Sequence, residues 1–86
     1  MGELAKLPNI GPVVEQQLQA VGVHTQQELQ AIGAAEAWLR VQAIDASACI
    51  HRLLAMEGAA QGVPKAALPA QRKAELKAFY QAHKIL

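Results

Sequence analysis

Apolar residues along this 86-residue chain recur three and four positions apart, and nowhere alternate strand-like over a useful length. The pattern predicts six short helices, near residues 2–7, 12–22, 26–33, 34–43, 47–61 and 70–83. Gly11, Gly22, Gly33 and Gly62 punctuate them, and Asp45 or Ser47 begins the long central one. On that helix Cys49, Leu53, Met56 and Ala60 share a face, with Ile50 and Leu54 beside it. The last helix turns Leu76, Phe79 and Tyr80 inward. The expected core is Val14, Leu18, Leu29, Trp38, Leu39, Leu53, Met56, Leu76 and Phe79. The expected fold class is all-α, a compact bundle of five to six short helices forming one domain over residues 1–86.

The connections carry as much information as the helices. In Leu7-Pro8-Asn9-Ile10-Gly11-Pro12, Pro8 disfavours helix at Leu7, so a first helix stops there. Pro12 suits the first turn of the next helix, where its missing N–H is no loss. Asn9 and Gly11 are the residue types that enter left-handed backbone cheaply, and a hairpin places Gly11 at positive φ. The amides of Ile10, Gly11, Val13 and Val14 then lie near a helix N-terminus with few internal acceptors. Such a terminus can hold a phosphate oxygen. Further on, Gly22 closes one helix, while Thr25 and Glu28 have the spacing of a capping box, with Leu29 and Ile32 behind them.

Composition narrows the class. Much of the apolar fraction is alanine, and there is one Trp, one Tyr and one Phe, so closely packed helices are expected over a bulky core. No run of ~18 apolar residues occurs, so no membrane span is expected. The N-terminal residues lack the long apolar stretch of a signal peptide, which points to the cytoplasm. A single cysteine, Cys49, excludes an internal disulfide and reads as a small core residue. His24, His51 and His83 share no metal-ligand spacing; His24 belongs to the turn before Thr25, and the other two to the surface. No Ser/His/Asp set, paired acid/base carboxylates or glycine-rich nucleotide loop is present, so the sequence offers no catalytic, cofactor or metal residues. Trp38 reads as a core anchor. Gly58, after Glu57, interrupts a buried-looking helix at a cost of ~1 kcal/mol relative to alanine, which a close helix crossing would explain.

Charge is more telling in its distribution than in its net of +1. Residues 1–62 carry Lys6, Arg40 and Arg52 against Glu3, Glu15, Glu28, Glu36, Asp45 and Glu57, a net of −3. Residues 63–86 carry Lys65, Arg72, Lys73, Lys77 and Lys84 against Glu75, a net of +4. Attraction to a polyanion therefore comes mainly from the C-terminal helix. Lys73, Lys77 and Lys84 share a stripe of the last helix with Tyr80, for which a solvated helix face with favourable cations near its C-terminus is the preferred reading. The candidate nucleic-acid contacts are Lys6, Asn9, Ile10, Gly11 and Val13 on the hairpin, and Arg72, Lys73, Lys77 and Lys84 on the basic helix.

Four blocks of the sequence closely resemble the C-terminal domain of the TfoX/Sxy competence-regulator family. They are LPNIGPVVEQQLQAVGVHT from Leu7, QELQAIGAAEAWLR from Gln27, ACIHRLLAMEGAAQG from Ala48 and LPAQRKAELKAF from Leu68. The resemblance spans Leu7 to Phe79 and includes the Glu57-Gly58 pair. It implies a helix-hairpin-helix or SAM-like fold and a part in regulating DNA uptake and competence genes. The chain departs from nucleic-acid-binding hairpins in one respect. Where those often carry Lys or Arg just after the loop, it has Val13, Val14 and Glu15.

Two readings remain open. One is a non-enzymatic regulatory module whose contact with duplex DNA is weak, sequence-nonspecific or partner-dependent, since no set of base-reading side chains stands out. The other is a protein–protein adaptor that docks on transcription or DNA-uptake machinery through an apolar helical face. Neither requires a cofactor or a membrane, and the sequence sets no oligomeric state.

Overall fold

A computed structural model describes residues 2–85. A 3₁₀ turn, Glu3–Lys6, leads into α1 (Pro12–Ala20), α2 (Gln26–Ile32), α3 (Ala34–Ile44) and α4 (Ile50–Gln61). A second 3₁₀ turn, Lys65–Ala67, precedes α5 (Ala70–His83). The fold is all-α, with no strand among the described residues.

The expected boundaries hold where local chemistry sets them. Thr25 caps α2, its hydroxyl accepting from the Glu28 amide at 3.0 Å, while Glu28 reaches back to the His24 amide at 2.7 Å. Gly22 and Gly62 follow α1 and α4, whose ends close through Val23 N–H to Leu18 O and Val63 N–H to Gly58 O, both 2.8 Å. A single residue, Gly33, ends α2 and begins α3 with φ 83° and ψ 152°, a conformation essentially confined to glycine. The central helix starts later than either Asp45 or Ser47. Asp45 instead organises the preceding turn, accepting from both the amide and the hydroxyl of Ser47, and Cys49 is the N-cap of α4. Cys49 is accordingly half-buried and lies outside the core.

The core lies around α4, which packs against α2, α3, α5 and the second 3₁₀ turn. On α3, Ala34, Ala37, Trp38, Val41 and Gln42 are buried, a continuous stripe at helical spacing that leaves Leu39 on its flank. Leu18, Leu29, Trp38, Leu53, Met56 and Leu76 are buried as expected. Val14, Leu39 and Phe79 reach only the partly buried margin, and Leu4, Ile10 and Val23 complete the centre. Phe79 and Tyr80 meet Trp38 edge-on, with ring centroids at 6.2 and 5.5 Å. Beyond α5 the buried Gln42 side chain donates to His83 O at 3.0 Å and accepts from Ile85 N–H at 3.1 Å, holding down the C-terminal segment.

Two carboxylates tie elements together and make stability acid-sensitive. Asp45 sits well below the usual carboxylate range because Ser47, Arg52 and Gln17 all donate to it. Arg52 and Gln17, from α4 and α1, each approach it at 2.9 Å. Burial pushes the Glu57 carboxyl up, but hydrogen bonds from Arg72 and Gln61 and the Arg72 charge outweigh it, leaving the group below its ordinary value. Groups with depressed folded pKa values stabilise fully above their unfolded values of ~3.9 and ~4.3 and lose that contribution as pH falls through the folded ones. Urea midpoints should thus be flat from neutral pH down to about 5 and fall steadily below about 4. Asp45→Asn should flatten that fall; an unchanged acid slope in this variant would show that the Asp45 network is not its source.

Candidate nucleic-acid interface

The hairpin is built on a tight turn. Ile10 N–H donates to Leu7 O at 3.4 Å, and Asn9 has φ 72°. Proline cannot adopt positive φ, so Leu7-Pro8-Asn9-Ile10 takes the type II arrangement, with Pro8 second and a left-handed third residue. This corrects the expectation for Gly11, which is extended at φ −95° and ψ −178° and serves as the N-cap of α1. A Cβ on Gly11 would meet nothing within 4 Å. The left-handed position belongs to Asn9, because Pro8 dictates which residue of the turn must carry it.

The expected hairpin contacts separate into two groups. Asn9 turns inward: its Nδ2 donates to Val63 O at 3.1 Å and Ala55 O at 3.4 Å, and its Oδ1 accepts from Lys65 N–H at 3.0 Å. Ile10 is buried, with its amide already paired within the turn. Lys6, Gly11 and Val13 are exposed, and Val13 is 64% so. The Gly11, Val13 and Val14 amides have no acceptor among the described residues, as befits the open end of a helix.

Glu15, in the first turn of α1, is only 4% exposed. Its carboxylate accepts from Gly2 N–H at 3.2 Å and Ala5 N–H at 2.8 Å, capping the first 3₁₀ turn. The acid is therefore an internal fastener for the N-terminal segment. A basic residue could not accept these two amides.

The basic helix is likewise divided. Arg72 lies on the inner side of α5, one turn before the buried Leu76, and pairs with Glu57 at 2.9 Å and Glu75 at 3.2 Å. The Glu57 hydrogen bond chiefly raises the pKa of its guanidinium, which is engaged by two carboxylates. Lys73 donates to Ala66 O at 3.2 Å, and Lys77 is exposed. Lys84 lies past the helix end, its Nζ 5.9 Å from the Tyr80 ring centroid. None of the five lysines has a carboxylate within 4.0 Å among the described residues. Tyr80, packed on Trp38, is only partly available to a ligand.

The described residues enclose no pocket and contain no group of three or more metal-ligating side chains. No helix is long and apolar enough to cross a membrane.

The model of the TfoX C-terminal domain matches residues 1–80. A crystal structure of an uncharacterized protein from Listeria monocytogenes, in a triclinic form, is similar at TM-score 0.91 and 44% identity, covering 94% of this chain and 92% of that one. A tetragonal-form structure of a protein of unknown function from the same organism gives 0.87 at 45% identity, over 91% and 96% of the two chains. No curated protein matches. With the family match running from the capped N-terminal turn through the edge-on aromatic contacts of α5, the chain belongs to the TfoX C-terminal domain family.

Proposed function

We propose that this domain is a non-enzymatic, competence-related regulatory module that contacts the phosphate backbone of duplex DNA weakly and without reading sequence. The supporting observation is that Lys6, Lys65, Lys73, Lys77 and Lys84 lack carboxylate partners among the described residues, while both arginines nearest the core, Arg52 and Arg72, are ion-paired. Unpaired lysines on flexible stems neutralise phosphates without bidentate base recognition.

Titration of a labelled duplex at several salt concentrations tests this reading. With three or four lysines engaged, the log–log salt slope should be roughly −3, and affinity should be similar for unrelated sequences. Failure of the unmodified domain to bind at low salt would reject DNA contact. The adaptor reading would then stand, favoured by the exposure of Val13 at 64% and Ile44 at 56%. Salt-resistant, sequence-selective binding would contradict the proposal from the other side.

A further inference from the structure

The hairpin belongs to the acidic part of the sequence, whereas the cations belong to its C-terminal third. The fold removes that separation. Asn9 grips both Val63 and Lys65, so the turn after Lys6 is fastened to the segment that carries Lys65, 56 residues away. The join is close because Gly58 lies beneath it. A Cβ there would stand 2.5 Å from Asn9 Nδ2 and 2.7 Å from Val63 O. Lys73 extends the same surface by reaching back to Ala66 O, within the 3₁₀ turn that Lys65 begins. Lys77 lies one helical turn further along α5.

Most acids around this junction are engaged within the fold, and the exposed Glu75, between Lys73 and Lys77, pairs with Arg72 at 3.2 Å. Glu15 is buried against the Gly2 and Ala5 amides. Glu57 is 8% exposed and ion-paired with Arg72, which it shares with Glu75. The exposed Glu3 accepts from the Gln26 amide at 3.3 Å, and Glu36 is paired with Arg40.

We infer that the Leu7–Gly11 turn and the Val63–Lys73 segment form one composite basic surface for a duplex phosphate backbone, with Lys65 as a contact and Asn9 as the residue that positions it. This inference rests on the DNA reading above and specifies where the duplex lies. It moves the site from the C-terminal half of α5 to the junction of hairpin and 3₁₀ turn, so Lys84 is peripheral.

The test combines salt-dependent titration of a labelled duplex with amide chemical-shift mapping on the whole chain. Lys65→Gln should reduce the magnitude of the salt slope by about one and weaken binding roughly tenfold near 50 mM salt. Lys84→Gln should change neither appreciably. Duplex should shift the amides of residues 6–11 and 65–73 along one isotherm. Asn9→Gly keeps the positive φ accessible, and its thermal melt establishes that it folds. It too should lower the salt slope, a readout that loss of stability alone does not move. If the parent binds but Lys65→Gln keeps the full slope and the shifts are confined to residues 77–85, the composite surface is overturned while the DNA reading survives. If the parent does not bind at low salt, the DNA reading itself fails and this surface fails with it.

Discussion

Gly58→Ala is expected to destabilise the domain, although alanine is the better helix former. In an exposed helix interior the exchange would gain ~1 kcal/mol. Here the new Cβ meets Asn9 Nδ2 at 2.5 Å and two backbone atoms, Val63 O at 2.7 Å and Lys65 N at 3.2 Å. The Asn9 amide can swing aside, but the backbone of the α4–α5 link cannot do so without losing the bonds that hold it. Overpacking of this kind costs ~1–3 kcal/mol, and each Asn9 hydrogen bond that breaks adds ~1. The net expectation is a loss of about 2–3 kcal/mol, a drop in melting temperature of more than about 10 °C for a domain of this size. Gly58→Val should be worse. Gly11→Ser is the contrasting variant, since its Cβ enters open space and its hydroxyl suits an N-cap, so stability should stay within about 0.5 kcal/mol of the parent. A Gly58→Ala variant that melts at or above the parent would show that the link relaxes freely and that the close approach is not a constraint.

Trp38→Ala should have an effect at least as large. Trp38 is fully buried and is the edge-on partner of both Phe79 and Tyr80, so its removal leaves a cavity where α3 and α5 meet. Such truncations cost ~3–5 kcal/mol, much of the ~4–13 expected for a domain this small. Truncation should also loosen α5, which buries few other large side chains, Leu76 being its one fully buried residue. Trp38→Phe isolates a second effect. The Trp38 indole N–H is buried with no hydrogen-bond partner among the described residues, a cost of ~1–3 kcal/mol that phenylalanine does not incur. Partial relief of that cost offsets the lost volume, so the phenylalanine variant should lose less than half of what alanine loses. Urea midpoints of the three proteins decide this. Equal losses for Phe and Ala would mean that the indole N–H is satisfied in solution and that the whole ring is required.

Much of the molecule follows from short-range rules. Helical spacing placed Leu53 and Met56 in the core of α4 and Trp38 in that of α3, because burying one stripe of a helix constrains residues three and four apart, while Cys49, Ala60 and Leu39 fell at the margin. Thr25 with Glu28, and the glycines after α1 and α4, marked helix ends because capping acts over a few residues of chain. Even the exchange of Gly11 for Asn9 at the left-handed position has a local cause, since Pro8 suits the second place of a type II turn and Asn tolerates the positive φ that such a turn requires of its third residue. The hydrogen-bond partners of the polar side chains were not legible in this way. Asn9 belongs to a hairpin by sequence, yet its amide is satisfied by Val63, Ala55 and Lys65. Glu15 counts as acidic charge by sequence and is a buried cap in the fold, while Arg72 counts as a free cation and is an ion-pair partner of Glu57. Lys65 acquires its place beside the hairpin through a contact spanning 56 residues. Sequence alone determined the helical class, most of the large core residues and the capped helix ends, since steric and periodic constraints act between near neighbours. Only the tertiary structure decided which charges remain available, because a buried donor or acceptor must find its partner wherever the chain returns to it.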